Sequence, residues 1–314
     1  MKGRNIVYWA LLLLAASCVR EKEGREIEES VLATRSVTLN VGMEDVSVLI
    51  FGRNDPDFTY RSSIVSGWDT QGKTSIRLEV GDYKFLFFKL SGLHTFLDPE
   101  SLTNAVTFAD IKVKAEKDPA RDGYVWPADE LWFPESAAMA DEIYSIQGGE
   151  TVRNTLTRAV GQIVLQLKRG IPENGEIDSL PYPAGKTIMD NIEKVSLDIA
   201  GVGEAADIRG GIGNSKVFWT TAQANRITKS GFAIFEGPFV FPSGTGQETN
   251  VNVVLLPKSG SAFPELSKQV KGKVERNKRL VITLWVTSTY KFIGITVKTD
   301  PISAETDGDQ GIWN

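Results

Sequence analysis

From Ser36 onward the chain alternates apolar and polar residues with period two. SVTLNV (36–41) places Val37, Leu39 and Val41 on one side, VSVLIF (46–51) is a denser apolar run, and IRLEV (76–80) alternates again. YKFLFF (83–88) follows Gly81-Asp82, a good hairpin turn pair. Further runs are IVLQL (163–167), VSLDI (195–199), VFW (217–219), FVF (239–241), VNVVLL (251–256), VITLWV (281–286) and FIGITV (292–297). Val, Ile, Phe and Thr dominate them, and 29 glycines and 13 prolines punctuate the chain. This pattern predicts antiparallel sheets packed as β-sandwiches. Helical periodicity is scarce, and only 102–120 and 261–273 are expected to hold a turn or two of helix. The fold class is therefore all-β with minor helix.

The first residues follow a different pattern. Lys2 and Arg4 give a positive start, Ile6 to Ala16 form an apolar stretch too short to span a bilayer, and Ala15, Ala16 and Ser17 are small. Cys18, the single cysteine, comes next. This order resembles the lipobox of bacterial lipoproteins, which implies cleavage between Ser17 and Cys18 and acyl chains on the Cys18 thiol. Each buried methylene of such a chain contributes about 0.8 kcal/mol, so two or more chains hold a protein firmly on a membrane. With one cysteine, an intramolecular disulfide and a cysteine-based zinc site are both excluded. Residues 18–35 are dense in both charges, with five glutamates between positions 21 and 29, and read as a flexible tether. Val19 in place of aspartate argues against inner-membrane retention, and the acidic cluster resembles the export signal of surface lipoproteins in Bacteroidetes. The expected location is the cell surface, on the outer membrane. Too many short strands remain for one typical sandwich, so the body is divided into 36–157 and 158–314, with the boundary near Arg158 where a fresh strand begins.

Several ordered segments carry a family resemblance: the lipobox and charged tether, SVTLNV, VSVLIFG leading to GDYKFLFF, ELWFPESAAM before LTRAVGQIVLQL, and VERNKRLVITLWV before the last strand. Together they are similar to the fimbrillins and fimbrial anchor lipoproteins of Bacteroidales that build type V pili. The resemblance implies two transthyretin-like β-sandwich domains, no active site, other fimbrial subunits as partners, and a role in pilus assembly and adhesion. It also implies that an arginine-specific protease removes the first strand of a stalk subunit, and that a neighbour's C-terminal strand fills the groove. That is β-strand addition. This chain departs from the pattern in two places. GMED (42–45), which joins the first two strands, has no arginine or lysine, and the candidate protease site Arg35 lies ahead of the first strand. The tail after Val297 alternates poorly and contains a proline, which makes it a weak donor strand. These departures favour a retained anchor or accessory subunit over a polymerising one.

Catalytic chemistry finds little support. The single histidine, His94, has no carboxylate near it in sequence and reads as a loop residue without a role. GVGEAA (201–206) matches a dinucleotide fingerprint only in letters, because the residues after it are too glycine-rich for the required helix. No enzyme activity, no cofactor and no metal is expected. YVWPADELWFPE (124–135) offers an alternative function, a surface glycan-binding lipoprotein in which Trp126 and Trp132 stack on sugar rings while Asp129 and Glu130 take hydroxyls. Against it stands the ordinary use of large aromatics to seal a core. The formal charge of −5 and the lack of aromatics in the one basic stretch, 268–279, argue against nucleic acid as a partner.

Overall fold

The computed structural model describes residues 34–54, 57–64, 66–104 and 110–302. Strands are numbered along the chain and form five sheets. In the first, β1 (Thr34–Asn40) lies between β4 (Lys73–Glu79) and β11 (Thr151–Arg153). The second runs in the order β12 (Leu156–Arg158), β9 (Glu130–Pro134), β5 (Gly81–Ser91), β2 (Ser47–Asn54) and β3 (Asp57–Ile64), with β10 (Tyr144–Ile146) paired to the start of β5.

The third sheet runs β19 (Arg226–Ile227), β20 (Ala233–Val240), β13 (Gly161–Glu173), β23 (Lys278–Val286) and β24 (Phe292–Pro301). A short β14 (Glu176–Ser179) folds back on β13. The fourth runs β22 (Leu266–Gly272), β21 (Thr249–Pro257), β15 (Ile192–Val202), β18 (Ser215–Thr221) and β8 (Tyr124–Val125). A small fifth sheet joins β17 (Gly210–Ile212), β16 (Ala205–Asp207), β7 (Val113–Ala115) and β6 (Thr95–Leu97). Most pairs are antiparallel. Among the described residues, helix is confined to short pieces such as Pro99–Asn104 and Ala137–Ala140. An all-β sandwich architecture is thus observed.

The dense apolar runs have a clear cause. On β2 and β5, Val48, Ile50, Phe85 and Phe87 point into a core shared with Val37 and Leu39 of β1 and Val152 of β11. Their neighbours Leu49, Phe51, Leu86 and Phe88 point the other way, into a second and larger core. A strand buried on both faces cannot alternate, so it reads as a continuous apolar run. The larger core takes Ile163, Leu165 and Leu167 of β13, Leu197 and Ile199 of β15, and Val251 and Val253 of β21. Two cross-connections tie residues before Arg158 to residues after it: β7 pairs with β16 and β8 pairs with β18.

The sequence predicts a turn or two of helix in 261–273; the structure has β22 there instead, paired over seven positions with β21. Its inward row is Leu266, Lys268 and Val270. The Lys268 ammonium lies 4.4 Å from the centre of the Phe292 ring, so a charged residue occupies a position that the alternation would assign to an apolar one. In 102–120, helix covers only the end of Pro99–Asn104, and β7 follows.

Candidate assembly site

The feature with the clearest capacity for assembly is the slot that β1 fills. Seven antiparallel positions pair it with β4, from Thr34 opposite Glu79 to Asn40 opposite Lys73. Three parallel positions pair it with β11, from Thr38 opposite Thr151 to Asn40 opposite Arg153. Val37 and Leu39 are fully buried, each contributing about 1.5–3 kcal/mol through burial. Without β1, both flanking strands would expose unpaired backbone over an apolar floor, which is the shape that accepts an extended segment.

A turn holds the far side of the slot. Glu150 accepts backbone N–H groups from Gln147 (2.8 Å) and Gly148 (2.7 Å), and these bonds hold its carboxyl below the ordinary range. The same turn reaches β1, since the Thr38 N–H donates to the Glu150 carbonyl at 2.9 Å and the Gly149 N–H to the Ser36 carbonyl at 2.9 Å. Arg35 is the second residue of β1 and sits opposite Leu78, exposed, with its aliphatic stem over Gly148. The strand begins earlier than alternation predicts, because the ladder needs only backbone groups and accepts Thr34 and Arg35 at its start.

The connection from β1 to β2 is tight. Val41 N–H donates to the Gly72 carbonyl at 3.0 Å, the Trp68 indole N–H to the Val46 carbonyl at 2.6 Å, and Lys89 Nζ to the Glu44 carbonyl at 3.0 Å. A Cβ on Gly72 would lie 2.0 Å from the Met43 nitrogen, so only glycine lets the connection pack there. Asp45 adopts φ +56°, a left-handed turn conformation that aspartate tolerates.

Other sequence candidates fall in several places. Ser17 and Cys18 lie outside the described residues. Trp126 stacks face to face on His94, with centroids 4.7 Å apart and planes at 17°, and His94 Nδ1 is 3.0 Å from a Glu116 carboxylate oxygen. Asp129 accepts the backbone N–H groups of His94 (2.7 Å) and Thr95 (2.8 Å), so its carboxylate pins a loop. Glu130 forms an ion pair with Arg158, whose guanidinium lies 4.6 Å over the Trp132 ring, and Trp132 packs on the smaller core. The two tryptophans thus have different partners, and the acids between them are engaged within the chain. GVGEAA forms strand and bend, with β15 running to Val202 and β16 starting at Ala205. The last strand extends beyond Val297 to Pro301, with Asp300 opposite Arg279, so the start of the tail is paired inside the fold. Residues 303–314 lie outside the described part.

Sequence reasoning missed Arg276. Its guanidinium donates to the carbonyls of Pro134 (2.6 Å), Ile208 (3.0 Å), Phe133 (3.2 Å) and Arg158 (3.3 Å), and to Thr157 Oγ1 (3.1 Å). It thereby joins segments on both sides of Arg158. No local pattern marks such a residue, because its partners are more than 60 positions away in sequence.

No protein-family model matches the chain, and no curated protein does. Solved structures share the architecture. A candidate polysaccharide-binding protein from Bacteroides thetaiotaomicron is 10% identical with a TM-score of 0.51, over 86% of this chain and 99% of that one. A candidate adhesin from Bacteroides ovatus is 11% identical with a TM-score of 0.50, over 86% and 95%. The fimbrial anchor protein Mfa2 from Porphyromonas gingivalis is 12% identical with a TM-score of 0.48, over 86% and 99%. At such identities the likeness is one of fold.

Proposed function

We propose that this chain is a lipid-anchored subunit of a surface fimbria, an anchor or accessory subunit that keeps its first strand. In this reading Cys18 carries the lipid on the outer membrane, other fimbrial subunits are the partners, and adhesion follows from the assembled fibre. The chain acts by binding and not by catalysis. The observation that carries the reading is the state of β1: a central strand with both ladders made, Val37 and Leu39 fully buried, and a connection to β2 without arginine or lysine. Cleavage after Arg35 would remove only Thr34 and Arg35 from the strand and leave both buried side chains in place. Cleavage after Arg53 would take β2 with it. The lipobox, the ordered motifs and the fold shared with a candidate adhesin point the same way.

With its own slot filled, such a subunit meets a partner by strand addition at a sheet edge. β3 ends the second sheet, and six of its eight residues are exposed, so one side of its backbone is open to pairing. Digestion of the folded body with an arginine-specific protease tests the retention of β1. The expected product begins no later than Ser36 and stays folded. A folded product that begins beyond Asn40 would contradict the reading.

A further inference from the structure

We infer a saccharide-binding site on the outer face of the fourth sheet, in a pocket of about 710 Å³ that lies apart from the β1 slot. Directly opposed residues of neighbouring strands share a face, so the register fixes the layout. Val125, Val217, Ile199, Val251 and Val270 form one row, buried in the large core. The adjacent row, Tyr124, Lys216, Ala200, Asn250 and Lys271, therefore faces outward.

Two features make this face concave at one point. Ala200 is the smallest side chain of its row and sits between Lys216 and Asn250. Immediately after it the register of β15 against β18 shifts, and Gly201 is the extra residue of the bulge. Gly201 has φ +81°, and a Cβ there would lie 2.3 Å from the Glu248 carbonyl oxygen, so the floor of the pocket admits glycine alone. Asn214 and Gln247 complete the wall from the loops at this end of the sheet.

The chemistry of the lining selects the ligand. Asn214, Gln247 and Asn250 spend their side-chain amides on no other described residue, and each amide both donates and accepts. Lys216 has no carboxylate partner among the described residues, and its ammonium lies 5.5 Å from the centre of the Tyr124 ring. That ring is fixed in turn, since Tyr124 Oη donates to the Asp198 carboxylate at 3.0 Å. Glu248, at the rim, is 3.5 Å from Lys271. No lining side chain is apolar beyond Ala200, so the pocket offers nothing that would bury an apolar side chain of a ligand. A metal would need clustered carboxylate or imidazole ligands, and the described residues hold no such group. Amides, one ammonium, the Glu248 carboxylate and glycine backbone match a ligand whose hydroxyls donate and accept at short intervals, a saccharide chain. The site does not rest on the fimbrial reading, because none of its residues belongs to β1 or its neighbours.

The test uses arrayed oligosaccharides cut from β-glucan, xylan, mannan and pectin, with the chain from residue 19 onward as analyte. Binding to at least one of these classes is expected. Ala200→Trp should abolish it by filling the pocket. Asn250→Ala and Lys216→Ala, which alter exposed or half-exposed side chains, should each weaken it about tenfold while leaving the melting temperature unchanged. Trp126→Ala should leave it intact. Failure to bind any of the four classes at millimolar concentration overturns the inference, as does binding insensitive to Asn250→Ala and Lys216→Ala. Loss of binding in Trp126→Ala alone would place a saccharide site elsewhere and overturn it too.

Discussion

Arg276 shows how one side chain holds distant segments together. Five acceptors from three stretches of chain converge on it, and burial lowers the pKa of its guanidinium. Arg276→Ala would leave carbonyls at Phe133, Pro134 and Ile208 without their donor, and a charge-assisted bond contributes more than a neutral one. The expected loss is about 3 kcal/mol in urea unfolding, with Arg276→Lys recovering less than half, because a point charge on a flexible stem cannot serve five acceptors. A change below about 0.5 kcal/mol, the range of an ordinary surface substitution, would contradict this role. Residues of this kind are invisible to sequence reading, since neither spacing nor periodicity links position 276 to 133 or 208. The conspicuous residues Trp126, Asp129, Glu130 and Trp132 stood out as a cluster in sequence, yet the fold directs them to separate partners.

Elements were legible wherever one face is buried and the other wet, as in β1 and β21, where alternation marks the inward positions. Runs such as YKFLFF were readable as strands from composition, while their two-faced burial required the second core to be seen. Alternation does not mark β22, because Lys268 occupies an inward row, covered by the Phe292 ring, nor the start of β1, because Thr34 and Arg35 pair through backbone alone. β1 also yields a direct test of how firmly it is held. Leu39→Ala removes a fully buried side chain and should cost about 3 kcal/mol in unfolding free energy. Ser36→Ala, on the exposed row of the same strand, should stay within about 0.5 kcal/mol. Equal effects at the two positions would mean that β1 does not seal the smaller core.

At the scale of the whole molecule, the second sheet is the common wall. One of its faces closes the smaller core with β1, and the other belongs to the core that carries the third and fourth sheets. Loss of β1 would thus open the smaller core at one end while the larger core, the β7–β16 and β8–β18 pairings and Arg276 stay in place. The body could survive strand exchange at that slot, yet its connection from β1 to β2 gives an arginine-specific protease nothing to cut. In the function proposed above, the charged segment 18–35 and a lipid at Cys18 hold the subunit on the membrane while partners add at its free edges. Mass spectrometry of the mature N-terminus, in protein taken from outer membranes and from sheared fibres, tests this most directly. The account predicts acylated Cys18 in the membrane fraction with β1 still attached. A chain recovered from fibres and beginning at Ser36 or later would contradict it, and would make the lipid a delivery device for a shaft or tip subunit.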